Sequence, residues 1–270
     1  WLQLKKRSLG LFLILGTTVF GQFGTVSLGG ASYVSLAGSG SAIGGVESIY
    51  TNQAGIIKVK NFGIDANIEN RFGLEATSAI GISLVKNTIV GHWGLTLQRF
   101  GLKEYSQSKA GVCYAMSLFS NLHLAAQLNY YNLNIENYGK TNLYNFETGM
   151  LFEINGQFDL GIHVLSPISK KISESSQIQT QFTVGVAYKP DYKVTVLADF
   201  SKPVDFDPEI KVGLSYLASS LFEARMGYNI TIGNFGFGVG LRLNKVKARA
   251  AFSINNVLGN TPALSFQYNN

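Results

Sequence analysis

Residues 61–71 read NFGIDANIENR, and their apolar and polar side chains alternate strictly. The apolar parity carries Phe62, Ile64, Ala66 and Ile68, and the polar parity carries Asp65, Asn67, Glu69 and Arg71. A period of two places successive side chains on opposite faces of a β-strand. This stretch therefore predicts a strand with one apolar and one polar face.

The same alternation recurs along the chain, for example in residues 143–154, LYNFETGMLFEI. It predicts fourteen strands at 61–72, 75–86, 88–100, 103–117, 121–135, 143–154, 157–165, 177–188, 191–200, 208–217, 221–230, 234–243, 245–254 and 261–269. An even number of strands of about ten residues is typical of a closed transmembrane barrel. We therefore expect an all-β fold, a transmembrane antiparallel β-barrel of about 14 strands, over residues 61–270. A soluble β-sandwich alternates in the same way, so alternation alone does not decide.

The lengths of the connections favour the barrel. Every second connection is predicted to be tight, at 86–87, 118–120, 155–156, near Pro190, 218–220 and 244–245. Those between them are mostly longer, as at 136–142, 166–176, 201–207 and 255–260, and the short first link at 73–74 departs from the rule. Bacterial outer-membrane barrels have short turns on one rim and longer loops on the other. A Greek-key sandwich does not sort its connections in this way.

The polar parity carries charges of both signs, which we expect to face the lumen. The predicted lumen-facing polar residues are Asp65, Glu69, Arg71, His92, Glu147, Asp159, His163, Arg225, Arg242 and Arg249. Acids and bases are nearly balanced on this parity, which favours ion pairs and a plugged interior over a pore for one class of ion. The simpler alternative is that these residues only solvate the barrel interior.

The first 21 residues have the pattern of an export signal. A basic start that contains Lys5, Lys6 and Arg7 precedes an apolar run at 9–20, and Val19 and Gly21 supply small residues for cleavage. The apolar run is shorter than the ~18 residues that a transmembrane helix needs. We therefore expect a signal peptide at 1–21 that is cleaved after export, and a mature protein in the bacterial outer membrane, surrounded by its lipid.

Composition excludes several classes of protein. The 270 residues include 46% apolar and only 14% charged residues, which argues against disorder. A single Cys excludes a disulfide framework. Removing the three cations of the signal from the formal charge of +6 leaves +3 with no basic cluster, so we expect no nucleic-acid partner. The three His have no zinc spacing and no catalytic set is placed together, so we expect no metal, no cofactor and no enzyme.

Residues 22–60 do not alternate and are rich in Gly, Ser and Ala. Such a segment ahead of a barrel is either a flexible arm or a hatch folded into the lumen. Small residues allow close packing against a barrel wall, which favours the hatch. Four glycines near one strand, Gly233, Gly236, Gly238 and Gly240, predict a wall with little side-chain bulk that leaves room for a hatch or a ligand.

Two runs within this segment carry a resemblance to a known family. GGASYVSL at 29–36 and ESIYTNQAGI at 47–56 resemble the opening of the PorV/PorQ-like outer-membrane proteins of Bacteroidota, which belong to the wider FadL-like group of barrels. Asn52, Ala54 and Gly55 match the Asn-Pro-Ala-Gly motif at the end of the hatch in that family, and Gln53 replaces its Pro. NIENRF at 67–72 is similar to the first strand of its members.

The resemblance implies two alternative functions. PorV-like proteins act in type IX secretion, which would make this chain an accessory of protein secretion or surface assembly with secretion-machine proteins as partners. FadL-like proteins pass hydrophobic molecules through a hatch-gated lumen, which would make it an uptake channel with a hydrophobic ligand. We expect the accessory role first and the uptake channel as the alternative.

Overall fold

Fourteen antiparallel strands close into a barrel in the computed structural model, which describes residues 28–167, 171–173, 176–177 and 179–270. Each strand pairs with its neighbours in sequence, and the last strand closes the barrel on the first. The strands are β1 (Phe62–Asn70), β2 (Ser78–Thr88), β3 (Gly91–Gly101), β4 (Tyr105–Phe119), β5 (Leu122–Ile135), β6 (Gly139–Glu153), β7 (Phe158–Leu165), β8 (Gln181–Tyr188), β9 (Val194–Pro203), β10 (Glu209–Leu217), β11 (Phe222–Asn229), β12 (Asn234–Leu243), β13 (Val246–Asn255) and β14 (Gly259–Asn269). This confirms the predicted fold class.

A separate hairpin, Lys171–Ser173 with Ser176–Gln177, lies in the connection between β7 and β8. Among the described residues, no helix is long and apolar enough to cross a membrane. The predicted signal peptide at 1–21 lies outside the described residues.

The outer face of the barrel is apolar. On β12, for example, Phe235, Phe237, Val239 and Leu241 are exposed, while the residues between them point inward. Such side chains on an outer surface are stable against lipid hydrocarbon, because closed strand pairing leaves no backbone group in need of water. Period-two alternation in the sequence thus indicates strands whose outward side chains face lipid and whose inward side chains face a polar interior.

The strands continue past the ends that the sequence predicts. β6 begins at Gly139 rather than at 143, because residues 139–142 still pair with β5. The alternation weakens there because an outward side chain beyond the hydrocarbon no longer has to be apolar. The predicted short link at 73–74 is wrong, since residues 71–77 connect β1 and β2 and form two single turns of 3-10 helix, Arg71–Gly73 and Glu75–Thr77.

The two rims of the barrel differ less than expected. We call the rim that holds the start of β1 and the end of β14 the terminal rim, and the opposite one the loop rim. The only connections in the described parts of the chain that exceed five residues, 71–77 and 166–180, both lie at the loop rim. The wall is also uneven in height, because β4, β5 and β6 have 14 or 15 residues while β7, β8 and β11 have eight.

Residues 28–60, which we call the hatch segment, lie inside the barrel. They form a short helix, Gly30–Val34, and two 3-10 helices, Val46–Tyr50 and Gln53–Lys58. The buried core lies between this segment and the inner wall, where Ile49 and Ile56 pack with inward-facing residues such as Val85 and Leu151. Inward apolar side chains that are scattered in the sequence are thus the contact points of the hatch segment.

The lipid-facing position of Val239 gives a test of the fold. Replacing Val239, which is 66% exposed in the middle of β12, by Arg places a charge in hydrocarbon. We expect Val239→Arg to lower the free energy of unfolding of the vesicle-inserted barrel by about 2–4 kcal/mol, measured by urea titration. Val257→Arg, in the exposed turn between β13 and β14, is the control and should change it by less than about 0.5 kcal/mol. Equal effects of the two substitutions would contradict the outward assignment of this face.

Candidate functional site

Inward-facing glycines make room for the hatch segment. A Cβ atom added at Gly227 would lie 2.2 Å from the backbone carbon of Leu36, and one at Gly236 would lie 2.2 Å from the carbonyl oxygen of Val34. A Cβ at Gly161 would likewise meet the backbone of Ser41, whereas at Gly149, Gly185 and Gly213 it would meet the side chains of Asn52, Ser41 and Ser39; we define a glycine belt by Gly149, Gly161, Gly185, Gly213, Gly227 and Gly236. Where the neighbour is backbone no side chain larger than hydrogen fits, and at the other three positions the facing side chain would have to shift. The backbone of the hatch segment therefore rests directly on the wall.

The glycines singled out from the sequence have different roles. Gly236 and Gly238 do provide the space for the hatch segment, since Cβ atoms there would meet Val34 and Ser35. Gly233 does not belong to the wall, because it lies in the turn after β11 with φ of +65° and has open space around it. A Cβ at Gly240 would meet the side chain of Arg249 instead of the hatch segment.

Asn52 joins two parts of the hatch segment to the wall. Its Nδ2 donates to the carbonyl oxygen of Ser41 at 2.7 Å and to that of Met150 on β6 at 2.9 Å. Its Oδ1 accepts from the backbone N–H of Ala54 at 3.2 Å and so caps the helix Gln53–Lys58. Gly55 is needed at the next turn, since a Cβ there would lie 2.4 Å from the carbonyl oxygen of Ile43. These four bonds and contacts explain why Asn, Ala and Gly stand at these positions.

Gln53, which replaces Pro of the family motif, makes a contact that Pro cannot make. Its Nε2 donates to Oε2 of Glu147 at 2.7 Å, and both side chains are buried. Glu147 also accepts from Lys109 Nζ at 2.8 Å and from Asn129 Nδ2 at 2.7 Å, and His163 Nε2 lies 3.1 Å from it. This buried carboxylate therefore links the hatch segment to β4, β5 and β7.

Glu47, the one acid of the hatch segment, forms the second charged connection. Its carboxylate lies 3.1 Å from Arg225 Nη2 and 3.0 Å from Arg249 Nη1, and it accepts from Gln267 Nε2 at 2.5 Å. Glu223 lies on the other side of both guanidinium groups and pairs with each of them. Two acids and two arginines thus neutralise one another at the boundary between the hatch segment and β11, β13 and β14.

The pKa of Glu47 lies well below its usual range. Burial alone would raise the pKa, but the adjacent guanidinium groups of Arg249 and Arg225 and the Gln267 hydrogen bond lower it further than burial raises it. Glu47 is therefore ionised at any pH near neutrality. Its partners hold the hatch segment by charge, not only by shape.

Further polar contacts fasten the middle and the C-terminal end of the hatch segment. Asp199 on β9 accepts from the backbone N–H groups of Gly40 and Ser41, both at 2.9 Å. At the terminal rim, His92 Nε2 lies 2.9 Å from the carbonyl oxygen of Val59, and Lys58 pairs with Glu153 at 2.5 Å. Contacts of this kind distribute the attachment around the whole barrel.

The sequence-predicted lumen residues fall into two groups. The first group contacts the hatch segment or the residues that anchor it, and consists of Glu147, His163, Arg225, Arg249 and His92. The others have separate environments: Asp65 accepts from Asn67 and Gln267, Glu69 pairs with Arg71 at 2.6 Å, Asp159 pairs with Lys189, and Arg242 is half-buried on the inner face of β12 opposite Lys247. All ten face the interior or its rims, and their functional role stays a prediction.

The sequence analysis missed two kinds of residue. Lys109 and Gln267 are central to the two charged networks, but single polar residues on an alternating strand give no sign of their partners. The glycine belt was seen on one strand only. In the sequence, the belt corresponds to one inward-facing glycine on each of several successive strands. These glycines can be recognised as one belt only when the register of the strands is known. Among the described residues, no group of three or more His, Cys, Asp or Glu could hold a metal ion.

Above the hatch segment a cavity of about 440 Å³ opens at the loop rim, and we call it the vestibule. Its floor is formed by the hatch segment, with Leu28, Tyr33, Val34 and Ala37. Its walls are mostly polar, and include Lys109, Glu147, His163, Gln181, Thr183, Ser201, Lys211, Asn229 and Ser253. The size is in the range of small-molecule sites. The vestibule joins a floor of apolar and polar residues, which also include Ser41, Tyr50 and Thr51, to walls that offer hydrogen bonds.

The fold is similar to that of solved outer-membrane channels. The Ralstonia pickettii toluene transporter TbuX matches with a TM-score of 0.68 at 10% identity, over 89% of this chain and 98% of that one. The Pseudomonas putida toluene transporter TodX matches with a TM-score of 0.62 at 12% identity, over 88% and 96% of the two chains. A Pseudomonas aeruginosa FadL homologue matches with a TM-score of 0.66 at 10% identity, over 89% and 98%. No family model and no curated protein matches the sequence.

These likenesses show a closed barrel fold of the kind found in FadL-type outer-membrane channels. They do not show the PorV/PorQ identity that the sequence runs suggested, and the secretion-accessory interpretation gains no support from them. The matched proteins are described as transporters or as a FadL homologue, not as enzymes. At 10–12% identity the agreement concerns the fold alone.

The glycine belt can be tested by adding one methyl group. Gly227→Ala places a Cβ against Leu36, so we expect the urea midpoint of unfolding to fall by an amount that corresponds to about 1–3 kcal/mol. Gly156→Ala adds the same methyl group where no atom lies within 4 Å, and should leave the midpoint unchanged. A Gly227→Ala protein as stable as the Gly156→Ala protein would show that the hatch segment does not rest on the wall.

The Glu47 network predicts a specific pH dependence. Because the pKa of Glu47 is lowered in the folded protein, its contribution is complete above the unfolded pKa of about 4.3 and is lost only as pH falls towards the lower, folded value. We therefore expect amide exchange in residues 45–51, corrected for intrinsic rates, to stay protected from pH 7 to pH 4. Glu47→Gln should lower the local opening free energy at pH 7 by about 1.5–3 kcal/mol. Loss of protection between pH 6 and pH 5 in the unaltered protein would contradict this account.

Proposed function

We propose that this protein is a hatch-gated outer-membrane channel for the uptake of small hydrophobic molecules. The observation that carries the proposal is the closed lumen: the hatch segment fills the barrel beneath a vestibule that is open at the loop rim. A lumen closed in this way is unsuited to a general porin. The TodX and TbuX proteins, described as toluene transporters, share the fold and support the same class of cargo.

The vestibule supports a refinement of the cargo. Leu28, Val34 and Ala37 are the apolar residues of its floor, each less than 10% exposed, and a hydrophobic body would rest against them. The amide and hydroxyl groups above them satisfy a polar substituent, which a pure hydrocarbon does not have. We therefore propose that a small aromatic or aliphatic body with one polar group is carried better than toluene itself. Passage requires the hatch segment to move away from its seat on the glycine belt.

A reversible tether tests this movement. A Cβ at Gly213 would lie 2.4 Å from Oγ of Ser39, so cysteines at both positions are close enough for a disulfide after small adjustments. In cells whose outer membrane carries the Ser39→Cys/Gly213→Cys protein, we expect uptake of labelled benzyl alcohol and toluene to fall to the level of cells without the protein. Reductant should restore it in the same cells.

The reduced form of the double variant is its own control for folding. The Ser39→Cys protein alone should take up both compounds at the unaltered rate under either condition. Uptake that continues through the oxidised protein would show that the hatch segment does not gate transport. Uptake of neither compound by the unaltered protein, above cells without it, would contradict the proposed function.

A further inference from the structure

Arg99 is an exposed cation on the lipid-facing surface that has no acidic partner among the residues that the structure describes. Arg99 follows Trp93, Leu95 and Leu97 on the outward parity of β3, and all four side chains are exposed. Arg99 takes part in none of the ion pairs between described residues. An arginine on the lipid face of a barrel is destabilising unless it reaches the interface or an anion. Its presence there needs an explanation.

Arg99 borders a polar depression on the outer surface near the loop rim. The depression has a volume of about 520 Å³ and is lined by Arg99, Lys103, Ser78, Ser106 and Asn134 together with Ile80, Gly101 and Leu102, and we call it the outer polar pocket. Lys103 is 83% exposed and pairs with Glu136 at 2.9 Å, so its ammonium group is only partly compensated. Two cations with hydroxyl and amide donors around them form a surface suited to a phosphate group.

An apolar depression lies directly below the outer polar pocket. The strand register places Ile80, Arg99 and Ser108 in one row across β2, β3 and β4. The next outward row towards the terminal rim is Ile82, Leu97 and Ala110, which begins a second depression of about 520 Å³. Its outward lining is otherwise Leu84, Leu95, Val112, Leu128, Tyr130 and Tyr144, and we call it the outer apolar groove.

The small side chain of Ala110 shapes this groove. Ala110 pairs with Leu97 on one side and with Tyr130 on the other, and both of these larger side chains are exposed. Ala110 therefore forms the floor of the groove, and the larger side chains of Leu97 and Tyr130 form its two sides. It lies at the height of the hydrocarbon, whereas the outer polar pocket lies where the outward residues become polar, as Asn132 and Asn142 do on β5 and β6.

We propose that this face binds one anionic membrane lipid, with its phosphate group against Arg99 and Lys103 and an acyl chain in the outer apolar groove. The two depressions are stacked along the same strands, polar towards the rim and apolar towards the membrane centre, which is the order of head and tail in a lipid. The lipid phosphate supplies the anion that Arg99 lacks among the described residues. The guanidinium group can form two parallel hydrogen bonds to phosphate oxygens, so it contributes more to binding than Lys103.

Native mass spectrometry of the delipidated full chain in detergent tests the site. The probes are dimyristoyl phosphatidic acid and dimyristoyl phosphatidylcholine, which share acyl chains and differ in headgroup charge. We expect one phosphatidic acid to bind at least about tenfold more tightly than phosphatidylcholine. Arg99→Gln should remove most of this preference. Lys86→Gln, an exposed outward residue at the opposite end of β2, is the matched control and should keep it.

A second variant tests the groove independently of charge. Ala110→Phe fills the floor of the outer apolar groove, so it should weaken binding of dimyristoyl phosphatidic acid while binding of the short-chain dihexanoyl lipid changes less than about twofold. Heat-modifiable mobility on gels confirms that each variant is a folded barrel. Equal binding of the two dimyristoyl lipids by the unaltered protein, or an unchanged preference in Arg99→Gln, would overturn the proposal. A dimer that dissociates on Arg99→Gln would assign this face to a second copy of the chain and overturn it as well.

Discussion

The need to satisfy every backbone hydrogen bond in hydrocarbon is the constraint on which the rest of this structure depends. A sheet edge in lipid would leave a row of unpaired polar groups, so the fourteen strands close on themselves through β1 and β14. Closure creates an interior that must be filled or hydrated. The hatch segment fills it, and the glycine belt is the condition for its fit. The outer apolar surface and the polar interior follow from the same closure.

Charge inside the barrel is organised by burial. An ion taken out of water needs a partner, and a buried pair is retained only when its remaining hydrogen-bonding groups are also satisfied. Glu47 and Glu147 meet this requirement with two or more cationic or amide donors each. Each carboxylate joins the hatch segment to several strands at once. Removing one partner would leave an uncompensated charge, so these contacts define one arrangement of the segment within the barrel.

The fold was predictable because a two-sided wall imposes a period of two on each strand, as in β1 and β6. Strand ends were less predictable. The outward residues of β6 before 143 are polar like the inward ones, so apolar and polar residues no longer alternate there. The inward parity of Asp65, Glu147 and Arg249 followed from the same period. Their partners did not, because Gln53 and Glu147 are 94 residues apart and no local pattern relates them. The apolar residues Val85 and Leu151 looked scattered for the same reason, since their common neighbour is the hatch segment. The resemblance of residues 29–56 to a secretion-associated family stays a prediction, because the structural likenesses concern the fold alone.

The uneven height of the wall has a consequence for the surrounding bilayer. Eight residues of β7 or β8, tilted by about 45°, cover only about 19 Å along the membrane normal, while fifteen residues of β4 or β6 cover about 36 Å. The apolar band of such barrels is about 25 Å tall, so the ends of β4 and β6 extend past it into water, whereas β7 and β8 are too short to span it. The lipid must be thinner beside β7 and β8 than beside β4, or the barrel axis must incline towards one side. Lipid order around this protein therefore depends on direction, and acyl chains are most extended along the β4–β6 side.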